Sequence, residues 1–173
     1  MGFNRIKYKM VCGVKIIDNF LDKETFNNIK KILEEDMFPW YVSKGVTHIN
    51  NTNKDHYAFF HKFYEHNTIN SNYFTNLKPV LDKLNVKALI RTKANLYPKT
   101  YKIIEHNWHY DYSFPHQAAL LMLNTNNGFT IMENKKKIET KENRMLLFDA
   151  SKLHKSTTCT DENFKINIVF NYF

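Results

Sequence analysis

Apolar side chains recur at helical spacing in two stretches of the first half of the chain. The first covers residues 23–36, follows the capping residue Asp22 and predicts an amphipathic helix. Its apolar positions are Phe26, Ile29, Ile32 and Leu33. The second covers 72–84, where Pro79 predicts a kink or a break.

The second half of the chain changes to the alternation that is typical of strands. Residues 86–97 predict a strand whose polar face carries Arg91, Lys93, Asn95 and Tyr97. Such a face is either solvated or lines a cavity. We expect Asn95 and Tyr97 to line a cavity. For Arg91 and Lys93 the pattern leaves both possibilities open.

Several shorter stretches predict further strands: 11–17, 117–124, 129–133, 136–140, 144–149 and 164–172. Asn127-Gly128 predicts a turn. In the last strand Lys165, Asn167 and Val169 face one way, and the residues that face the core are Ile166, Ile168 and Phe170. Early helices and late strands predict a mostly β (α+β) fold, a double-stranded β-helix or jelly roll buttressed by N-terminal helices.

The length of 173 residues predicts a single domain over 1–173. Residues 1–85 would supply helical support and lid strands, and 86–173 the jelly-roll core. A hydrophobic content of 43% argues against disorder. No apolar run approaches the ~18 residues of a membrane span, and the N-terminus lacks a secretory signal. We therefore expect a cytoplasmic protein with reduced thiols, although the sequence leaves open whether Cys12 and Cys159 pair.

The net charge of +8 has two interpretations. A basic balance is typical of nucleic-acid-binding proteins. However, the lysines are spread along the chain, and 135–137 is their only run. The distribution of the lysines favours a solvated basic surface. The oligomeric state cannot be predicted from the sequence.

The segment 40–65 is rich in aromatic residues and histidines. It either covers an active site and helps to choose the substrate, or forms edge strands whose aromatic rings pack on the core. His56, His61 and His66 lie five residues apart, which fits neither strand nor helix register for a shared metal. We do not predict them as ligands.

The tripeptide His109-Tyr110-Asp111 carries two of the three ligands of a candidate metal site. In an extended strand the first and third side chains point the same way. An imidazole beside a carboxylate is two thirds of the facial triad of non-haem Fe(II) oxygenases. His154, 43 residues after Asp111, is the candidate third ligand. His106 would face away and is a poor ligand.

Motifs from Leu89 to the C-terminus place this tripeptide in a wider pattern. They are Tyr97-Pro98, His109-Tyr-Asp111, Leu123-Asn124, 127–130 (Asn-Gly-Phe-Thr), 144–148 (Arg-Met-Leu-Leu-Phe), His154 and Lys165. Together they resemble the Fe(II)/2-oxoglutarate dioxygenases, specifically the prolyl-4-hydroxylase-like branch of bacteria and phages. Asn127 and Asn143 depart from the glycines that this family tends to carry there.

The resemblance implies a reaction and a set of roles. Fe(II) would be bound by His109, Asp111 and His154, with 2-oxoglutarate and O2 at the remaining positions. Succinate and CO2 would be released as the substrate is hydroxylated, and ascorbate is a possible reductant. The residues assigned to the cosubstrate are Lys165, for its far carboxylate, Tyr97, as a second donor, and Asn95 and Asn167.

The substrate stays open between three classes. The resemblance favours a peptidyl side chain such as proline. The basic charge permits a nucleobase or nucleic-acid oxygenase instead. A non-enzymatic, cupin-like metal-binding module is the third class, and Lys165 argues against it, since a buried cation would have no role without an anionic cosubstrate. A phage-encoded protein would act in the host cytoplasm.

Overall fold

Two antiparallel β-sheets form the body of the protein, for which the computed structural model describes residues 8–11, 13–43 and 57–173. The strands of the larger sheet are β1 (Lys9–Val11), β2 (Val14–Ile17), β3 (Tyr41–Ser43), β4 (Ala58–Glu65), β5 (Thr68–Ile69), β6 (Leu89–Pro98), β7 (Gln117–Met122), β10 (Arg144–Asp149) and β12 (Phe164–Tyr172). Those of the smaller sheet are β8 (Asn126–Met132), β9 (Lys137–Thr140) and β11 (His154–Ser156).

The order of the strands is that of a double-stranded β-helix. The larger sheet runs β1-β2-β10-β7-β12-β6-β4-β3, with β5 paired to β4, and the smaller runs β11-β8-β9. Isolated bridges join Glu105 to Thr157 and His109 to His154, so the segment 105–109 lies beside β11. The mostly β jelly-roll prediction is confirmed.

The two predicted helices pack as the apolar spacing indicated. Helix α1 (Lys23–Glu34) begins where the Asp22 carboxylate accepts a hydrogen bond from the Thr25 amide at 2.9 Å, and it ends two residues earlier than predicted. Its buried side chains are Phe26, Ile29 and Leu33. The second stretch divides into a 3-10 helix (Asn72–Leu77) and α2 (Lys78–Leu84). Pro79 stands in the first turn of α2, which tolerates proline, and the predicted break is confirmed.

The register of β12 explains why one side of the larger sheet is polar. Lys165 pairs with Tyr97 and Asn167 with Asn95, so these side chains share a face. The opposite face carries residues that are buried in the main core: Ile166, Ile168 and Phe170. The predicted division of this strand is therefore confirmed.

Two local predictions are wrong for steric reasons. The predicted strand 11–17 is interrupted: β2 covers only Val14–Ile17 and pairs with β1, which ends at Val11, because Gly13 adopts a positive φ of 80° between them. The pair 127–128 lies inside β8 and not in a turn. Gly128 is needed there for close approach, since an added Cβ would lie 2.7 Å from the Thr158 carbonyl oxygen and 3.1 Å from Lys165 Cδ.

Other strand ends also differ from prediction. Strand β6 begins at Leu89, after Asn85 has closed α2 in the left-handed region at φ 54°. Strand β7 ends at Met122, two residues early. No helix within the described ranges is long and apolar enough to cross a membrane.

Candidate metal centre

The segment that carries His109 and Asp111 is irregular, which corrects the prediction of an extended strand. Of the tripeptide, only His109 pairs with β11, through hydrogen bonds of 3.0 and 2.8 Å exchanged with the backbone of His154. The Asp111 amide donates instead to the Ala150 carbonyl oxygen at 3.0 Å. Backbone bonds to the turn before β11 therefore fix the segment, and it still delivers both side chains to one place.

The structure brings together the three predicted ligands, His109, Asp111 and His154. One potential ligand atom of each lies within 4.8 Å of the others, and the two imidazole centroids are 4.5 Å apart. His154 Nδ1 lies 2.9 Å from the Lys152 carbonyl oxygen, and His109 Nδ1 lies 3.3 Å from that of Asn107. Each Nδ1 can thus donate its proton to a carbonyl, which leaves Nε2 with a lone pair for a metal.

The electrostatics favour the protonation states that a divalent metal requires. Burial and the neighbouring His154 lower the pKa of His109 to about 4, so this imidazole is neutral at neutral pH. Burial raises the pKa of Asp111, but the Arg91 guanidinium and other neighbours outweigh it, and the pKa falls to about 2. Two imidazole nitrogens and one carboxylate are the donor set of a non-haem Fe(II) site, and these residues fit it.

A closed ring of hydrogen bonds holds the Asp111 carboxylate. Arg91 Nη2 donates to Asp111 Oδ1 at 3.0 Å, and Asn171 Nδ2 donates to Oδ2 at 2.7 Å. Arg91 Nε closes the ring by donating to Asn171 Oδ1 at 3.1 Å. The Asn171 amide also lies 3.2 Å from His116 Nε2. Both carboxylate oxygens are therefore oriented from behind by the larger sheet.

The polar face of β6 forms one wall of a pocket above the triad. Arg91, Lys93, Asn95 and Tyr97 all line it, so the expected cavity extends over the whole face. The pocket opens to solvent and contains about 540 Å³ of space that no protein atom occupies, the open solvent at its mouth included. Asn95 Nδ2 donates to Asn167 Oδ1 at 3.0 Å across the same wall.

Lys165 lies behind the pocket wall, at the end far from Arg91, where it contacts the lining residue Ser156, and only 1% of it is exposed. Its ammonium donates to three oxygens, those of Phe129 O at 2.8 Å, Ser156 Oγ at 3.0 Å and Thr157 O at 3.2 Å. Burial lowers the pKa of Lys165 to about 7. Tyr97 covers the ammonium at 5.9 Å from its ring centroid. Burial raises the pKa of Tyr97, which keeps its hydroxyl a donor.

The histidines that we did not predict as ligands lie outside the triad. His61 is buried on the other face of β4, where Nδ1 lies 2.8 Å from Pro39 O and Nε2 lies 2.7 Å from Ser71 Oγ. Its contacts with Phe38 and Phe63 agree with the core-packing interpretation of this segment. His66 follows the strand at an exposed position. His48, His56 and the possible partner Cys12 lie outside the described residues, whereas Cys159 is a buried free thiol.

Sequence reasoning missed three residues of the site: Asn171, Ser156 and Lys155. The alternation that singled out Lys165 and Asn167 also reaches Asn171, four residues further along the same face. Ser156 stands two residues after His154 and lines the pocket. Lys155 also lines it, with its ammonium 2.6 Å from Glu105 and 4.4 Å from the Trp108 ring centroid.

Solved structures with a similar fold include 2OG-Fe(II) oxygenases. A 2OG-Fe(II) oxygenase family protein from Burkholderia pseudomallei matches at a TM-score of 0.65 and 12% identity, over 92% of this chain and 84% of that one. A prolyl hydroxylase from Trichoplax adhaerens, in complex with a hypoxia inducible factor peptide, matches at 0.67 and 15%, over 93% and 83%.

A third match is the epimerase SnoN in complex with Fe3+, alpha ketoglutarate and nogalamycin RO. It has a TM-score of 0.62 and 8% identity, over 93% of this chain and 78% of that one. No family model matches the chain, and no curated protein matches it significantly by sequence. At these identities the likeness establishes the fold.

Proposed function

Because the chain has the fold of the 2OG-Fe(II) oxygenases, prolyl hydroxylases among them, we propose that it is an Fe(II)- and 2-oxoglutarate-dependent dioxygenase. The observation that carries the proposal is the group formed by His109, Asp111 and His154, within 4.8 Å at the base of a pocket. Its imidazoles each keep one nitrogen available, and its carboxylate is ionised. Fold and donor set therefore support the same chemistry.

The reaction consumes both cosubstrates in a balanced way. Fe(II), when bound, would activate O2. The four electrons that reduce O2 come from 2-oxoglutarate and from the substrate C–H bond: one oxygen atom enters succinate as CO2 is lost, and the other enters the C–H bond. The protein holds the metal through the three side chains, and the Arg91–Asn171 ring fixes the carboxylate. Ascorbate would serve as an external reductant for the metal.

The far end of the pocket supplies the binding site for the cosubstrate tail. Lys165 keeps two hydrogen bonds to backbone carbonyls, which hold the ammonium in place. The third hydrogen bond is donated to the Ser156 hydroxyl, which can rotate away. A carboxylate oxygen of the cosubstrate would then accept this hydrogen bond from Lys165. Tyr97 would donate to the same carboxylate, and Asn95 and Asn167 would line the path from the metal. A charge-assisted bond of this kind is typically worth ~1.5–3 kcal/mol.

The substrate class that we propose is a peptidyl side chain, with proline as the first candidate. The support is that a structural neighbour is a prolyl hydroxylase in complex with a peptide. A nucleic-acid oxygenase is the alternative, because the net charge is +8 and exposed rings such as Tyr41, Tyr110 and Phe114 are suited to base stacking.

Anaerobic titration tests the first half of this function. Fe(II)-loaded protein should develop a metal-to-ligand charge-transfer band when 2-oxoglutarate is added, and air should then yield succinate. Products with +16 Da would be sought by mass spectrometry in parallel incubations with proline-containing peptides and single-stranded oligonucleotides. Absence of both the band and succinate would contradict the proposed reaction, and an oxidised oligonucleotide beside untouched peptides would favour the alternative substrate.

A further inference from the structure

Lys93 differs from the other cations that line or border the pocket. Arg91 is bound to Asp111 and Asn171, and Lys155 is bound to Glu105. Lys165 is held by three oxygens. By contrast, Lys93 lines the pocket but donates no hydrogen bond to any residue that the structure describes. Its only described ring contact is with Phe60, whose centroid lies 5.8 Å from the ammonium.

The strand register places Lys93 on the pocket face of β6, between β12 and β4. Along β6, Lys93 is two residues from Arg91 and two from Asn95, and each such step spans ~7 Å. Val169 of β12 and Lys62 of β4 are its pair partners. Lys93 therefore stands beside the metal carboxylate on the side where the sheet continues towards Phe60 and the edge strand β3.

The charges of the pocket would not balance with metal and cosubstrate alone. Arg91 and Asp111 cancel, as do Lys155 and Glu105. A divalent metal and a 2-oxoglutarate dianion would also cancel. The positive charges of Lys93 and Lys165 remain, and Lys165 is enclosed by protein oxygens. Burial, followed by the neighbouring Arg91, lowers the pKa of Lys93 to about 8. The charged form of Lys93 is therefore disfavoured as long as no anion lies beside it.

Resting on the proposed function, we infer that Lys93 binds a carboxylate of the primary substrate, so that the enzyme selects peptides with an acidic residue one or two positions from the oxidised residue. A residue of extended chain spans ~3.3–3.6 Å, so a flanking side chain reaches one step along β6. A single ammonium binds a carboxylate as a point charge. Bidentate recognition of a phosphate would need a guanidinium fork, and the guanidinium of Arg91 is already bound to Asp111.

The test measures binding without turnover. Fluorescent proline-containing peptides that carry Glu, or Gln in its place, beside the proline are titrated by anisotropy against Fe(II)- and 2-oxoglutarate-loaded protein under argon. We expect the wild-type protein to prefer the Glu peptide at least about tenfold. Lys93→Met should remove that preference. Lys62→Met is the matched control, since Lys62 pairs with Lys93 across β4 and β6 but contacts Glu65 and is more exposed.

Two further readouts separate the possible outcomes. The charge-transfer titration should be unchanged in Lys93→Met, and a weakened titration would show that Lys93 holds the cosubstrate and overturn the inference. A wild-type protein without that band contradicts the proposed function, whereas a wild-type protein with the band but no Glu preference contradicts only the inference.

Oligonucleotide binding that is lost in Lys93→Met, with no peptide preference, would overturn the peptide class. Melting temperatures verify that each variant is folded.

Discussion

The two ends of the pocket hold their cations in opposite ways. At the metal end, Arg91 forms an ion pair with the Asp111 carboxylate, so a side chain of the protein neutralises its charge. At the far end, Lys165 contacts two carbonyl oxygens and a hydroxyl, which orient the ammonium without neutralising it. The difference indicates that the first cation orients a ligand to the metal. The second has no protein carboxylate beside it, so an anion from outside the protein would favour the charged form that burial opposes.

The largest expected effect comes from removing the metal ligands themselves. His154→Ala or Asp111→Ala should lower Fe(II) affinity by more than ~100-fold and abolish succinate formation, because two ligands no longer define the facial site. Equilibrium metal binding and a succinate assay measure both. His66→Ala is the control, since the side chain of His66 is 90% exposed and lies outside the triad. Wild-type metal affinity in His154→Ala would mean that the triad is wrong.

At the opposite end of the pocket, Lys165→Met should act on the cosubstrate and not on the metal. Loss of a charge-assisted bond worth ~1.5–3 kcal/mol weakens 2-oxoglutarate binding by about 10- to 150-fold. Titration of the charge-transfer band measures this, and Fe(II) affinity is measured in the same samples. An unchanged band titration would assign the carboxylate to a different cation, such as Arg91 or Lys93.

Substitution of Arg91 or Asn171 should weaken the binding of the metal more than the binding of 2-oxoglutarate. Arg91→Met or Asn171→Leu should lower metal affinity by ~10- to 100-fold, as expected for residues that orient a metal ligand. The dissociation constant for 2-oxoglutarate in the metal-loaded protein should change less than in Lys165→Met. Partial rescue of metal affinity by Arg91→Lys would confirm that the cation acts through Asp111. If Arg91→Met affected only cosubstrate binding, the contrast between the two ends would fail.

The smallest effect concerns pH and the ammonium of Lys93. Its folded-state pKa of about 8 lies below the unfolded value of 10.5, so the unfolded chain binds more protons in this interval and raising the pH stabilises the fold. Between pH 8 and 9.5 the wild-type protein should gain about 1.5 kcal/mol relative to Lys93→Met. Urea unfolding of the apo proteins measures this difference, and parallel pH profiles would contradict it.

Local patterns predicted a large part of this architecture. The alternation of β12 separates its core face from its pocket face. The short spacing also identified His109 and Asp111, whose side chains meet although the segment is not an extended strand. Long-range partners could not be predicted in the same way. The Arg91–Asp111 contact joins β6 to an irregular segment 20 residues later. The chain between them has no periodic pattern from which this contact could be predicted.

Gly128 failed as a turn prediction for a related reason. The residue type indicates that a side chain is not tolerated, but it does not say whether a turn or a close neighbour is responsible. In the structure the neighbours are the Thr158 carbonyl and the Lys165 stem, which come from other parts of the chain. Sequence alone contains no information on that distance.

The tight fit around Gly128 has a consequence for mutational tolerance. A methyl group at this position would press on a backbone carbonyl that cannot retreat and on the lysine stem, so it would displace the ammonium without altering any atom that meets a ligand. A complete substitution screen scored on activity would therefore place Gly128 among the least replaceable positions of the protein. Anyone who interpreted such a screen without the structure would assign a chemical role to a residue that provides only space.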